Sequence, residues 1–136
     1  MGLIVLDAGL VIALLERTDA HHQPAVSAVE AARQRGDRFA LPASAYAEVL
    51  VRPARRGAAE VAGVDGMVDA MPSTVVPIDR RIAAKAAYLR AEHGRALRLP
   101  DALVLATADV LRADRVLTTD AGLQARGVAV DLVGVG

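Results

Sequence analysis

Leu3-Ile4-Val5-Leu6-Asp7, with Leu10, Leu14 and Leu15 close behind, is the stretch that decides how the chain folds. Four consecutive apolar residues without alternation suit a central parallel strand buried on both faces. The strand ends at Asp7. The leucines that follow return at helical spacing, so a helix is expected immediately after that carboxylate.

Working outward, short β-branched runs alternate with long Ala/Leu/Arg stretches, the pattern of an α/β domain. A helix is expected over 20–35, stopped by Gly36, then a strand over 38–41. The next helix spans 42–56, with Pro53 expected to kink it or end it early. A helix over 58–71, weakened by Gly63 and Gly66, leads to a strand over 74–78. Pro77 places that strand at a sheet edge or marks its end. Asp79 caps a helix over 80–93 that Gly94 closes. Pro100 sits in the first turn of a helix over 101–113, followed by strands over 115–118 and 128–133. No linker, repeat or low-complexity tract interrupts residues 1–136, so one domain is expected.

The composition excludes several classes. The chain has 136 residues, and 54% are hydrophobic, ample for a core and too apolar for disorder. Basic and acidic residues number 16 each, which argues against holding nucleic acid by bulk charge. Lys85 is the single lysine, and all other bases are Arg. Aromatics are 2% (Phe39, Tyr46 and Tyr88), too few for a base-stacking platform. There is no Cys, which excludes disulfide scaffolds, thiolate metal sites and Cys nucleophiles and fits a reducing cytoplasm. No stretch reads as a membrane span or targeting signal, since Asp7 interrupts the apolar run 3–15.

Four carboxylates fall at element junctions: Asp7 after the first strand, Glu48 one to two turns into a helix, Asp101 in a first turn, and Asp120 past the fourth strand. Ligands of open α/β sheets bind beyond the carboxyl ends of the strands, where all four can converge. Converging carboxylates repel, and a hard divalent cation is the usual reason to tolerate them. One or two such ions support in-line phosphoryl displacement. The plainer alternative is that each acid is a cap or a solvated charge; for Asp101, a first-turn acid suits the helix dipole. Asp7 suits that alternative least, because it closes an apolar strand. Other chemistries lack parts: Ser27, Ser44 and Ser73 lie in no nucleophile elbow, His21, His22 and His93 show no ligand spacing, and no phosphate loop is present.

Leu3 to Leu15 around Asp7, Pro42 to Leu50 around Glu48, Leu99-Pro100-Asp101-Ala102-Leu103 through Ala108, and Val116-Leu117-Thr118-Thr119-Asp120 together resemble the PIN domain. The likeness is greatest to the VapC-type toxins of bacterial toxin–antitoxin pairs, and it spans essentially the whole chain. The resemblance implies a small parallel sheet flanked by helices in three layers, α/β/α. It implies an endoribonuclease dependent on Mg²⁺ or Mn²⁺, leaving a 5′-phosphate, that forms homodimers and is inhibited by a small VapB-type antitoxin. Asp7, Glu48, Asp101 and Asp120 occupy the family's acidic positions, and Thr118 matches a Thr that would support them. The chain departs from the family at Ala8-Gly9, where a Ser or Thr usually follows the first acid.

Ser44 lies one turn before Glu48 and is a candidate hydrogen-bond partner for it, and Arg52 is a candidate i,i+4 ion pair. Arg52, Arg55, Arg56, Arg95 and Arg98 flank the acids. They are either solvated helix ends or contacts for an RNA backbone. Asp109, about 12 Å along the helix from Asp101, is expected to lie apart. The apolar faces of the first, second and fourth helices are candidate seats for an antitoxin helix. Two rivals remain within the family: a PIN fold that binds RNA or protein without cleaving, and a PIN nuclease of RNA processing, which the short single-domain chain disfavours. A receiver domain would want adjacent acids at the first strand and a late Lys.

Overall fold

Strand β1 (Leu3–Leu6) owes its unbroken apolar run to its position. Among the described residues it is the middle strand of a five-stranded, wholly parallel sheet. It lies between β2 (Arg38–Pro42) and β4 (Arg115–Thr118), with β3 (Ser73–Val76) and β5 (Val130–Leu132) at the edges. Val5 pairs with Ala40 on one side and Val116 on the other, and all three are buried. A strand with neighbours on both edges and helices on both faces has no polar side. These observations come from a computed structural model that describes residues 2–134.

The helices α1 (Ala8–Leu15), α2 (His22–Gln34), α3 (Ala43–Arg56), α4 (Ala58–Ala70), α5 (Arg80–His93) and α6 (Leu99–Leu111) cover the sheet as the outer layers of an α/β/α domain. α6 contributes a deeply buried face, with Ala102, Leu105 and Ala106 wholly inaccessible. α5 packs along α6, and α3 packs on α1 and α4. Gly36 (φ 81°) and Gly94 (φ 67°) take the left-handed backbone that follows α2 and α5.

One local expectation gives way to packing. Pro53 does not end α3, which runs on to Arg56. Proline removes one N–H from the ladder, but buried Val49 already anchors this stretch and the Gly57 N–H closes the turn on the Pro53 carbonyl. The helix expected over 58–71 forms as α4 with Gly63 and Gly66 inside it, and Val64 and Val68 bury its inner face. The large exposed apolar residues are scattered as Val26, Val51, Tyr88, Leu99 and Leu132, with none on α1 or α4. Pro77 follows β3, which is also an edge strand. No described helix is long and apolar enough to cross a membrane.

The amino end of the sheet is fastened by charge. Buried Asp37 accepts the Gly2 N–H at 2.8 Å and pairs with Arg35 and Arg115, while Asp114 accepts the Leu3 N–H at 2.7 Å. Asp37→Ala is therefore expected to cost about 1–3 kcal/mol in urea unfolding, since it strands a buried N–H and loosens two guanidinium groups.

Candidate active site

The chain runs from β1 to β2 and β3 on one side, then crosses back to β4 and β5 on the other. The reversal opens a crevice beyond the carboxyl ends of β1 and β4, where open α/β sheets place their ligands. Asp7 leaves β1 there in extended backbone (φ −86°, ψ 170°) and caps α1. Its Oδ1 accepts the Leu10 N–H at 2.8 Å, and its Oδ2 accepts the Thr118 hydroxyl. Thr118 is wholly buried, and its oxygen also accepts the Asp120 N–H at 2.9 Å. One hydroxyl thus ties the end of β1 to the turn after β4. Asp120 Oδ1 accepts the Gly122 N–H at 2.8 Å, which fixes that turn.

Glu48 enters from the middle of α3 and Asp101 from the first turn of α6. Asp7, Glu48, Asp101 and Asp120 line one cavity of about 190 Å³, with Gly9, Ala45 and Val104 as its small and apolar walls. A second cavity of about 340 Å³ adjoins it, bounded by Glu48, Asp101 and Asp120 together with Arg98. Arg98 thus stands at the mouth. Arg52 and Arg56 line a separate groove of about 220 Å³ among α1, α3 and α4 that meets the acids at Glu48. Arg55 and Arg95 line none of these hollows.

The pair expected between Ser44 and Glu48 does not form. Ser44 Oγ is buried without a partner, whereas the Glu48 side chain reaches the cavity. Arg52 does not pair with Glu48 either; the cation whose charge acts on Glu48 is Arg98. Asp109 pairs instead with Lys85 on α5. His21 and His22 sit at the start of α2, where His22 Nδ1 lies 2.8 Å from the Ala13 carbonyl and ties α2 to α1.

The electrostatics follow from crowding. Burial pushes the Asp7 carboxyl above the usual carboxylate range, against the hydrogen bonds from Thr118 and Leu10, and the charges of Asp120 and Asp101 add to the rise. Burial, then Asp101 and Asp7, raise Glu48, while Arg98 opposes. Burial, then Asp120, raise Asp101, again opposed by Arg98. One guanidinium against four carboxylates leaves an excess of negative charge. The all-oxygen donor set suits a hard cation such as Mg²⁺ or Mn²⁺. No three His, Asp or Glu side chains among the described residues are disposed to enclose an ion by themselves. The fit is therefore to an ion that keeps much of its water, as Mg²⁺ commonly does.

The sequence did not single out Thr119. A Cβ on Gly9 would stand 2.8 Å from Thr119 Oγ1, so the turn after β4 presses against the first turn of α1. The signal was Gly9 itself, a helix-weakening residue in an otherwise apolar helix.

A sequence-family model described as PIN domain matches residues 4–128. The fold is similar to that of the toxin–antitoxin complex from Klebsiella pneumoniae, at 23% identity over 94% of this chain and 95% of that one (TM-score 0.74). It is also similar to the Rickettsia felis VapBC complex bound to a promoter DNA fragment, at 11% identity over 96% and 98% (TM-score 0.74). A third likeness is to a sarcin–ricin-loop-cleaving VapC toxin of Mycobacterium tuberculosis, at 18% identity over 93% and 96% (TM-score 0.74). Among curated proteins none matches.

Two outcomes follow from the site's charge and its buried hydroxyl. Carboxyls raised in the folded state bind protons more tightly there than in the unfolded chain, a contribution that is lost as pH rises through the raised values. In EDTA the thermal midpoint should fall as pH rises from the usual carboxylate range towards neutrality and these raised carboxyls ionise, and Mn²⁺ should restore it at neutral pH. A flat profile unaffected by Mn²⁺ would contradict this account. Thr118→Val keeps the shape but strands Asp7 Oδ2 and the Asp120 N–H, and should cost about 1–3 kcal/mol in denaturant unfolding.

Proposed function

The chain belongs to the PIN domain family, and from that premise we propose that it is a metal-dependent endoribonuclease and the toxin of a toxin–antitoxin pair. The observation that carries this reading is the set Asp7, Glu48, Asp101 and Asp120 around one cavity at the switch point of the sheet. Carboxylates in such excess have few uses besides holding a hard cation against a phosphate.

Asp7, Glu48, Asp101 and Asp120 would hold one or two Mg²⁺ or Mn²⁺ ions. Bound there, such an ion supplies electrophilic stabilisation of the charge that builds on the phosphate. The chain's own contribution is to position and to move protons. Asp7 cannot swing, because both of its oxygens are engaged, and Thr118 holds the backbone of Asp120 in the same frame. In the reaction a water oxygen bonds to phosphorus, its proton passes to a cavity carboxylate, and the bond from phosphorus to the 3′ oxygen breaks as that oxygen takes up a proton from solvent water. The products are a 5′-phosphate and a 3′-hydroxyl. Arg98 at the mouth, and Arg52 and Arg56 along the adjoining groove, would meet the RNA backbone on either side of the cut. Arg55 and Arg95 have no such placement. With so few aromatics, backbone and shape contacts would outweigh stacking.

The toxin assignment draws support from the likeness to toxin–antitoxin complexes of other bacteria. A small VapB-type antitoxin and a homodimer are part of the same proposal. The absence of a hydroxyl at Ala8-Gly9 favours one second reading, a PIN fold that binds RNA without cutting it.

Asp101→Asn should keep the circular-dichroism spectrum while lowering Mn²⁺-dependent RNA cleavage by at least about a hundredfold. It should also relieve the growth arrest that the wild-type chain causes when induced in a bacterial host. A folded Asp101→Asn protein that cleaves like wild type removes the assignment. Wild-type protein that binds RNA and never cuts it selects the second reading.

A further inference from the structure

Two threonines follow Leu117 at the end of β4, and they are differently employed. The Thr118 hydroxyl is spent within the protein, donating to Asp7 and accepting from the Asp120 N–H. The Thr119 hydroxyl makes no hydrogen bond among the described residues, and it is not enclosed. It stands over the bare α-carbon of Gly9, at the spot where a side chain of residue 9 would begin. A Cβ there would lie 2.8 Å from Thr119 Oγ1 and 3.8 Å from Asp7 Oδ1. Gly9 itself lines the acidic cavity, and Thr119, which is not one of its walls, stands against Gly9 beside it.

The chemistry of the cavity gives this hydroxyl a task. Each side-chain polar group that lines it, from Asp7, Glu48, Asp101 and Asp120, is a carboxylate. An ionised carboxylate only accepts hydrogen bonds, and so does a phosphodiester oxygen. Arg98 at the mouth is a donor, but its charge already acts on Glu48 and Asp101, so a phosphate arriving beside the acids gains from a neutral hydroxyl that does not pair with them. Ala8 and Gly9 bring none from α1, but β4 supplies one from across the switch point. A glycine within a helix weakens it relative to alanine, and what Gly9 provides in return is the room in which Thr119 Oγ stands.

We infer that Thr119 donates its hydroxyl to a non-bridging oxygen of an RNA phosphate passing over Gly9 beside the cavity, and that Gly9 keeps that position open. The inference rests on the nuclease reading above. It makes Thr119 a substrate-contacting residue and Gly9 a positioning residue that acts through it.

The test uses purified protein and a fluorescein-labelled RNA library of random sequence. Cleavage is followed with Mn²⁺, and binding by anisotropy with Ca²⁺ in its place. Thr119→Val should lower kcat/KM by about tenfold to a hundredfold, the usual worth of a hydrogen bond to a charged group, and should weaken binding in Ca²⁺. Thr119→Ser should recover most of both. Gly9→Ala should show the same loss without a lower thermal midpoint, because its methyl displaces the hydroxyl while improving the helix. The double variant Gly9→Ala/Thr119→Val should be no worse than either single one, as expected for two changes acting on one contact. Thr119→Val that binds and cleaves like wild type overturns the inference and leaves the nuclease reading standing. So do losses that multiply in the double variant. Wild-type protein that neither binds nor cleaves the library overturns both.

Discussion

Asp7 carries three obligations at once, and the carboxyl edge of the sheet is arranged around meeting them. One oxygen caps α1 through the Leu10 N–H, the other accepts the Thr118 hydroxyl, and the carboxylate still faces the acidic cavity. A cap and a buried hydrogen bond each stabilise by roughly 1 kcal/mol. Burial and neighbouring acids work against both by favouring the protonated form. The local structure is thus held in a geometry that its own charge disfavours, a common condition of functional sites.

That conflict is localised by the division of labour between the two ends of the sheet. At the amino end, Asp37 is met by Arg35, Arg115 and the Gly2 N–H, and Asp114 by the Leu3 N–H. Carboxylates there have partners inside the chain. At the carboxyl end, four carboxylates line one cavity, and the charge of Arg98 acts on Glu48 and Asp101. Equal numbers of acids and bases across the chain conceal this asymmetry, because the compensating charges are placed elsewhere. A divalent cation is the counter-charge that a residue count omits.

The fold was legible where a residue's local preference and its tertiary role agree. The apolar run of β1 reads as a two-sided buried strand because it is one, and Asp79 reads as a cap because its side chain accepts the Ile82 N–H. Legibility failed where packing overrode propensity. Pro53, expected to end α3 early or kink it, sits inside a helix that runs on past it, where Val49 is buried. The pairing of Ser44 with Glu48 failed for another reason. A turn's separation brings two residues to one side of a helix without saying where either side chain points, and Glu48 turns to the cavity while Ser44 Oγ is left unpaired.

By itself the sequence determined the α/β class, the order of the elements and the four acids at their junctions, since those depend on short-range periodicity and capping. Which side chains share a wall depends on contacts between residues a hundred positions apart, and only the tertiary structure decided it. It joined Thr118 to Asp7, brought Arg98 rather than Arg55 or Arg95 to the acids, and set the Thr119 hydroxyl over Gly9. The physical reason is the crossing from β3 back to β4. It makes neighbours of β1 and β4, strands that no local pattern connects, and sets the ends of both against the first turn of α1.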